Sequence, residues 1–221
     1  VVETELLVRT GQESQAVAAL SRVWPEATHP YVPYFQVRSL IELKQARLAL
    51  DLITKYGDRL NDDERYGLRL DAFAQLGWQS VLHSDVTLML TPVPTGPIIE
   101  LLATHLAKHP NQGVLDRVFA RLKEAPLAAT RENHNALVAL FCAAGIAGDF
   151  DRMHAVAQLL GKASDSSPAI LEGFEDFFRG KPPPRHIEAF LPSLPLPLDV
   201  TYVLLARYSS GHIVTPAAGR S

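Results

Sequence analysis

Cysteine is almost missing. Cys142 is the only one in 221 residues, so no internal disulfide can staple the fold. That suits a reducing compartment and is equally compatible with a disulfide-free periplasmic protein. Long apolar runs are missing too. No stretch reaches the roughly 18 consecutive apolar residues of a membrane span, and no basic segment followed by an apolar core marks a leader. There is no excess of basic residues. Lys and Arg number 21 against 24 Asp and Glu, a net charge of −3 with a pI near 6.2, and they are scattered. A general nucleic-acid binder carries a basic stripe, so nucleic acid is not expected as a partner. Period-two alternation is short-lived throughout, which leaves little from which to build a sheet. The signature motifs of several enzyme classes are absent as well. There is no Gly-x-Ser-x-Gly elbow and no His-Glu-x-x-His. Gly161-Lys162 with Ser164 fails as a phosphate-binding loop because Val156 stands where the first glycine belongs.

What is present is an apolar supply of 47%, ample for a core, arranged in three- and four-residue steps that predict helices. Residues 2–10 and 12–24 form a first helix pair around Gly11, with Ala16, Leu20 and Val23 on one face. Helices over 33–43 and 45–56 form a second, the latter carrying Ala49, Ile53 and Tyr56. Asn61 with Glu64 three residues on is a capping box that opens helix 62–76. Helices 78–90, 95–109, 113–124, 130–144, 149–162, 168–179 and 198–209 follow, with a short one ending at Leu191. Proline lacks the amide donor a helix interior needs, and all sixteen prolines fall at or near these boundaries or in a first turn. The turns inside successive pairs sit near Gly11, Lys44, Gly77, Pro110, Gly145, Gly180 and Gly211. Their separation of roughly 31–35 residues lies inside the window of solenoid repeats. Residues 129–163 read as the fifth pair, with a longer turn at Gly145-Ile-Ala-Gly148.

The period and the paired helices resemble the tetratricopeptide repeat. Ala16, Leu20, Val23 and Ala49, Ile53, Tyr56 resemble the small–large–small spacing of its second helix, and Gly148-Asp-Phe-Asp151 resembles its turn. Leu115, Phe119 and Leu122 keep the spacing without the small residues, and the first-helix Trp, Leu-Gly and Tyr signature is largely missing. Asn135-Ala-Leu-Val-Ala-Leu-Phe-Cys-Ala-Ala-Gly145 resembles the first helix of pentatricopeptide repeats. Those proteins read single-stranded RNA and tend to be basic, and the acidic balance here counts against that role. The tetratricopeptide resemblance implies an all-α, right-handed superhelix of about six to seven stacked helix pairs, spanning 1–210 as one domain, with 211–221 a disordered tail. It also implies a concave groove lined by first helices that holds a peptide or protein segment. Counting from the turns, Tyr34, Arg38, Glu42, Asp71, Gln75, Glu100, Thr104, Lys108 and Asn135 point inward.

Other candidate sites have plainer readings. His105 and His109 share a helix face, but no cysteine pair accompanies them, so no metal is expected. Glu172, Glu175 and Asp176 read as a solvated face, Phe174, Phe177, Phe178 and Phe190 as an end cap of the core, and Cys142 as a packed residue. No catalytic residue and no cofactor are expected. The leading expectation is a non-catalytic interaction scaffold, bacterial, cytoplasmic or periplasmic, with no membrane insertion by this segment. Two alternatives stand beside it: an all-helical lyase or hydrolase, and the soluble portion of a larger membrane-anchored protein. The start at Val1 rather than Met fits removal of an upstream signal or anchor.

Overall fold

A computed structural model of the chain describes residues 6–7, 10–23, 32–91, 93–163 and 168–181. The described residues are helical and contain no strand. No described helix is long and apolar enough to cross a membrane. The chain divides into two compact units, Val1–Asp85 and Val86–Ser221.

The first unit contains α1 (Glu13–Val23), α2 (Val32–Glu42), α3 (Ala46–Tyr56), a 3-10 turn at Gly57–Arg59 and α4 (Asp62–Leu76). Helix α5 (Gln79–Leu90) contains the boundary. Helix α2 packs on α1, α3 and α4, and α3 packs on α4. The core is built from Val37, Leu40, Ala46, Ala49, Leu52, Ile53, Leu68 and Ala72. These positions recur at three- and four-residue steps, so each helix turns one stripe inward. A side chain such as Leu40, fully removed from water, contributes about 1.5–3 kcal/mol. Helix α4 starts at the expected capping box. Asn61 Oδ1 accepts from the Glu64 amide at 2.8 Å, and the Asn61 amide donates back to Glu64 Oε2 at 3.2 Å. Asp62, Asp63 and Glu64 crowd the first turn, where the helix dipole favours negative charge.

The second unit contains α6 (Gly96–Lys108), α7 (Gln112–Glu124), a 3-10 turn at Arg131–Asn133, α8 (His134–Ala147), α9 (Phe150–Ala163) and α10 (Pro168–Phe178). Helix α6 packs on α7 and α8, α8 packs on α9 and α10, and α9 packs on α10. Helix α8 is surrounded, and every residue from Ala136 to Ile146 is buried. A helix apolar all round belongs in a core, and its small residues Ala136, Ala139, Ala143, Ala144 and Gly145 are all buried there.

One turn recurs. Among the described residues, positive φ occurs at Gly11, Lys44, Gly77, Gly148 and Gly180. In each case the next residue donates its amide to the carbonyl five positions back. The pairs are Gln12 to Leu7 at 2.8 Å, Gln45 to Leu40 at 2.8 Å, Trp78 to Phe73 at 3.0 Å, Asp149 to Ala144 at 2.9 Å and Lys181 to Asp176 at 2.9 Å. This is the Schellman motif, which satisfies the last carbonyls of a helix with a left-handed residue. Near Pro110 the chain turns differently, through a His109 cap and an Asn111 side chain that accepts from the Val114 amide at 3.1 Å.

Two sequence expectations need correction. The turn of the fifth pair lies at Gly148, not Gly145. Gly145 is inside α8 and buried, and a Cβ there would come within 2.7 Å of the Phe178 ring. Its glycine provides close approach rather than turn conformation. Helix α8 accordingly runs from His134 to Ala147 rather than over 130–144, because Arg131–Asn133 form a separate 3-10 turn. Phe174, Phe177 and Phe178 are buried, in keeping with a core role. The helix over 198–209, the proline run at 182–197, Phe190, the tail and the side chains of Leu20, Val23 and Tyr56 lie outside the described residues.

Candidate functional site

The first unit carries an open cleft of about 890 Å³ between α3 and α4, within the range of small-ligand sites. Arg47, Leu50, Asp51, Thr54 and Lys55 line it from α3. Their three- and four-residue spacing places them on one helix face. Arg65, Arg69 and Phe73 line it from α4 by the same rule. Trp78, just past the left-handed Gly77, and Gly57-Asp58 in the 3-10 turn complete the wall. Gly57 is in close contact here, since a Cβ would lie 3.3 Å from the Arg65 side chain.

Cations and rings alternate along this wall. The Arg47 guanidinium lies 5.7 Å from the Trp78 ring centre, and that of Arg69 lies 5.6 Å from Phe73. Phe73 and Trp78 stack at 6.2 Å. Arg69 is also paired with Asp85 at 2.8 Å. Burial pushes the Asp85 carboxyl above its ordinary range, and the Arg69 charge opposes that shift without cancelling it. Arg65 is paired with Asp62. Arg47 forms no ion pair among the described residues.

The nine residues expected to line a groove divide between the units. Tyr34, Arg38 and Glu42 lie on α2, and Arg38 pairs with Glu42 at 3.0 Å along the helix. Asp71 and Gln75 lie on α4 and are half-buried. Gln75 Nε2 donates to the Ile41 carbonyl at 2.7 Å, so this side chain serves the open end of α2. In the second unit Glu100, Thr104 and Lys108 follow one another at four-residue steps on α6 and are half-buried, while Asn135 on α8 is exposed. Burial raises the Glu100 carboxyl above its ordinary range, and it forms no hydrogen bond or ion pair among the described residues. None of the nine lines the α3–α4 cleft. The expected groove residues lie on first helices, whereas the cleft is walled in part by α3, a second helix. The signal of the cleft was the four-residue spacing of Arg47, Asp51 and Lys55 and of Arg65, Arg69 and Phe73.

Other chemistry-bearing groups have structural partners. The Glu175 carboxylate accepts from His154 Nδ1 across 3.1 Å, and Lys181 donates to Asp176 at 2.8 Å. Arg152 joins Asp116 at 2.6 Å and Asp149 at 3.0 Å, and lies 5.1 Å from the Phe119 ring centre. Hydrogen bonds from Arg152 and Gln112 hold the Asp116 carboxyl below its usual range. The Cys142 thiol is buried and pushed up to about 12 by desolvation, which removes the thiolate a nucleophile needs. His105 and His109 place their rings 5.2 Å apart and supply two of the four ligands a structural zinc site would take. A shallower hollow of about 400 Å³ lies in the second unit over the Gly148 turn, with Gln112, Asp149, Asp151 and Arg179 around it. Comparison with known proteins finds no matching family model, no matching curated protein and no matching solved structure.

Proposed function

We propose that the protein is a non-catalytic scaffold of the tetratricopeptide-like, right-handed solenoid type, which holds a peptide or protein segment on its helices. The observation that carries this is the recurrence of one turn. The same Schellman geometry closes helices at Gly11, Lys44, Gly77, Gly148 and Gly180, in steps of 33, 33, 71 and 32 residues, the long step spanning about two of the others, which is the regularity a helical repeat would give. The packing supports it. In each unit a helix meets those one and two places along the chain, as α2 meets α3 and α4, and α8 meets α9 and α10. Local contacts of this kind are what a stacked array uses. Affinity capture from the native cell with the wild-type chain and with Arg38→Glu/Asp71→Lys tests it. The scaffold reading expects specific partners, with the variant losing some of them if the nine residues form the groove. Recovery of no partner, together with turnover on a lyase and hydrolase substrate panel, would replace it with the enzyme alternative.

A further inference from the structure

We infer that the α3–α4 cleft of the first unit is a binding site for a small zwitterion of the amino-acid class, bearing one carboxylate, one ammonium and an aromatic or large apolar side chain, an inference that goes beyond the scaffold reading and does not rest on it. Charge comes first. Arg65 is held by Asp62 and Arg69 by Asp85, and Lys55 has an interaction of its own. With those two acids counted, the wall carries four cations, Arg47, Lys55, Arg65 and Arg69, and four carboxylates, Asp51, Asp58, Asp62 and Asp85. It is neutral, and so favours neither a polyanion nor a polycation. Arg47 and Asp51 are the exception to this pairing. They stand four residues apart on one face of α3, with Cβ atoms about 5–6 Å apart, where opposite charges ordinarily meet. Here they stay apart. The Arg47 guanidinium lies 5.7 Å from the Trp78 ring centre, and neither side chain forms an ion pair among the described residues. Both are exposed.

The class of ligand follows from that open pair. A molecule with both signs on one small body supplies both counter-charges at once. Its carboxylate accepts from the Arg47 guanidinium through two parallel hydrogen bonds, and its ammonium donates to the Asp51 carboxylate. A ligand of a single sign satisfies one group and is repelled by the other. Asp58 lies seven positions beyond Asp51, about 10 Å along the helix axis, past the reach of so small a molecule. The apolar requirement follows from Trp78. It is 39% exposed, a large value for an indole, and it is backed by Phe73. It stands at the Arg47 end of the cleft, so a ligand ring or long alkyl side chain placed against it removes that surface from water.

Calorimetric titration of the full chain tests this. The probe is free phenylalanine, beside phenethylamine, which lacks the carboxylate, phenylpropionate, which lacks the ammonium, and glycine, which lacks the side chain. Saturable binding of phenylalanine is expected, about tenfold tighter than that of any of the other three. Two variants assign the charges. Arg47→Gln should remove the advantage of phenylalanine over phenethylamine and keep its advantage over phenylpropionate. Asp51→Asn should do the reverse. Both substituted residues are exposed, and far-ultraviolet circular dichroism verifies that the variants keep their helices. A merely structural role would weaken all ligands alike and leave both preferences in place. Equal binding of the four ligands, preferences unaltered by the two substitutions, or no saturable binding of phenylalanine overturns the assignment. Each of these outcomes leaves the scaffold reading standing, because that reading is decided by partner capture with the Arg38→Glu/Asp71→Lys variant.

Discussion

Lys44 holds a backbone angle of φ 62°, where a residue with a Cβ is strained by about 1–2 kcal/mol. At the equivalent point of the neighbouring turns the chain uses glycine. Lys44→Gly should therefore raise stability by about 0.5–1 kcal/mol, the relief of strain being offset in part by glycine's larger unfolded-state entropy. Gly77→Ala should lower it by about 1–2 kcal/mol. Urea denaturation measures both, and a loss on Lys44→Gly would contradict the account of the turn. Glu100 gives a pH-dependent counterpart. Burial raises its carboxyl in the folded state, so the fold keeps this proton to higher pH than the unfolded chain does. Its contribution to stability is full at acid pH and is lost as pH rises through the raised value. Glu100→Gln, permanently neutral, should be more stable than the wild type at neutral pH and equal to it in acid, in paired denaturation curves. Residue-level legibility was uneven for a physical reason. Gly145 and Gly148 are both turn-forming by composition. Only the Phe178 ring at one and positive φ at the other separate them, and the ring comes from a residue 33 positions beyond Gly145 in the chain.

Helix α8 is where element-scale packing can be tested. The Phe178 ring rests directly on Gly145. Alanine at 145 improves helix propensity by about 1 kcal/mol but forces the ring to move, at a typical cost of about 1–3 kcal/mol. Gly145→Ala should thus destabilise the wild type. In a Phe178→Ala background, itself about 3–5 kcal/mol less stable, the same substitution should become neutral or stabilising. The sign change in a double-mutant cycle is the measurement, and a cost unaltered by removal of the ring would show that the contact is not what holds glycine there. Helix positions were largely legible. Proline, glycine and the Asn61–Glu64 box mark ends through backbone chemistry that a sequence displays directly. The burial of all of α8 was not, because a helix covered on every side has no stripe. The cleft between α3 and α4 was half legible. Its charges sit at helical spacing, but their convergence depends on how two helices pack, and the Trp78 stack depends on the turn before it.

At the scale of the molecule, the helical class follows from apolar period, and the two compact units follow from contacts that stay local in the chain. The recurring turn has a consequence for how such a chain changes over time. Each of the five Schellman turns is closed by main-chain hydrogen bonds and asks for one residue able to adopt positive φ, a role that even Lys44 fills. Exposed positions on the helices that these turns close are then free to drift without moving a turn. Descent among chains built this way can outlast residue identity, and the spacing of left-handed positions would be the trait that persists.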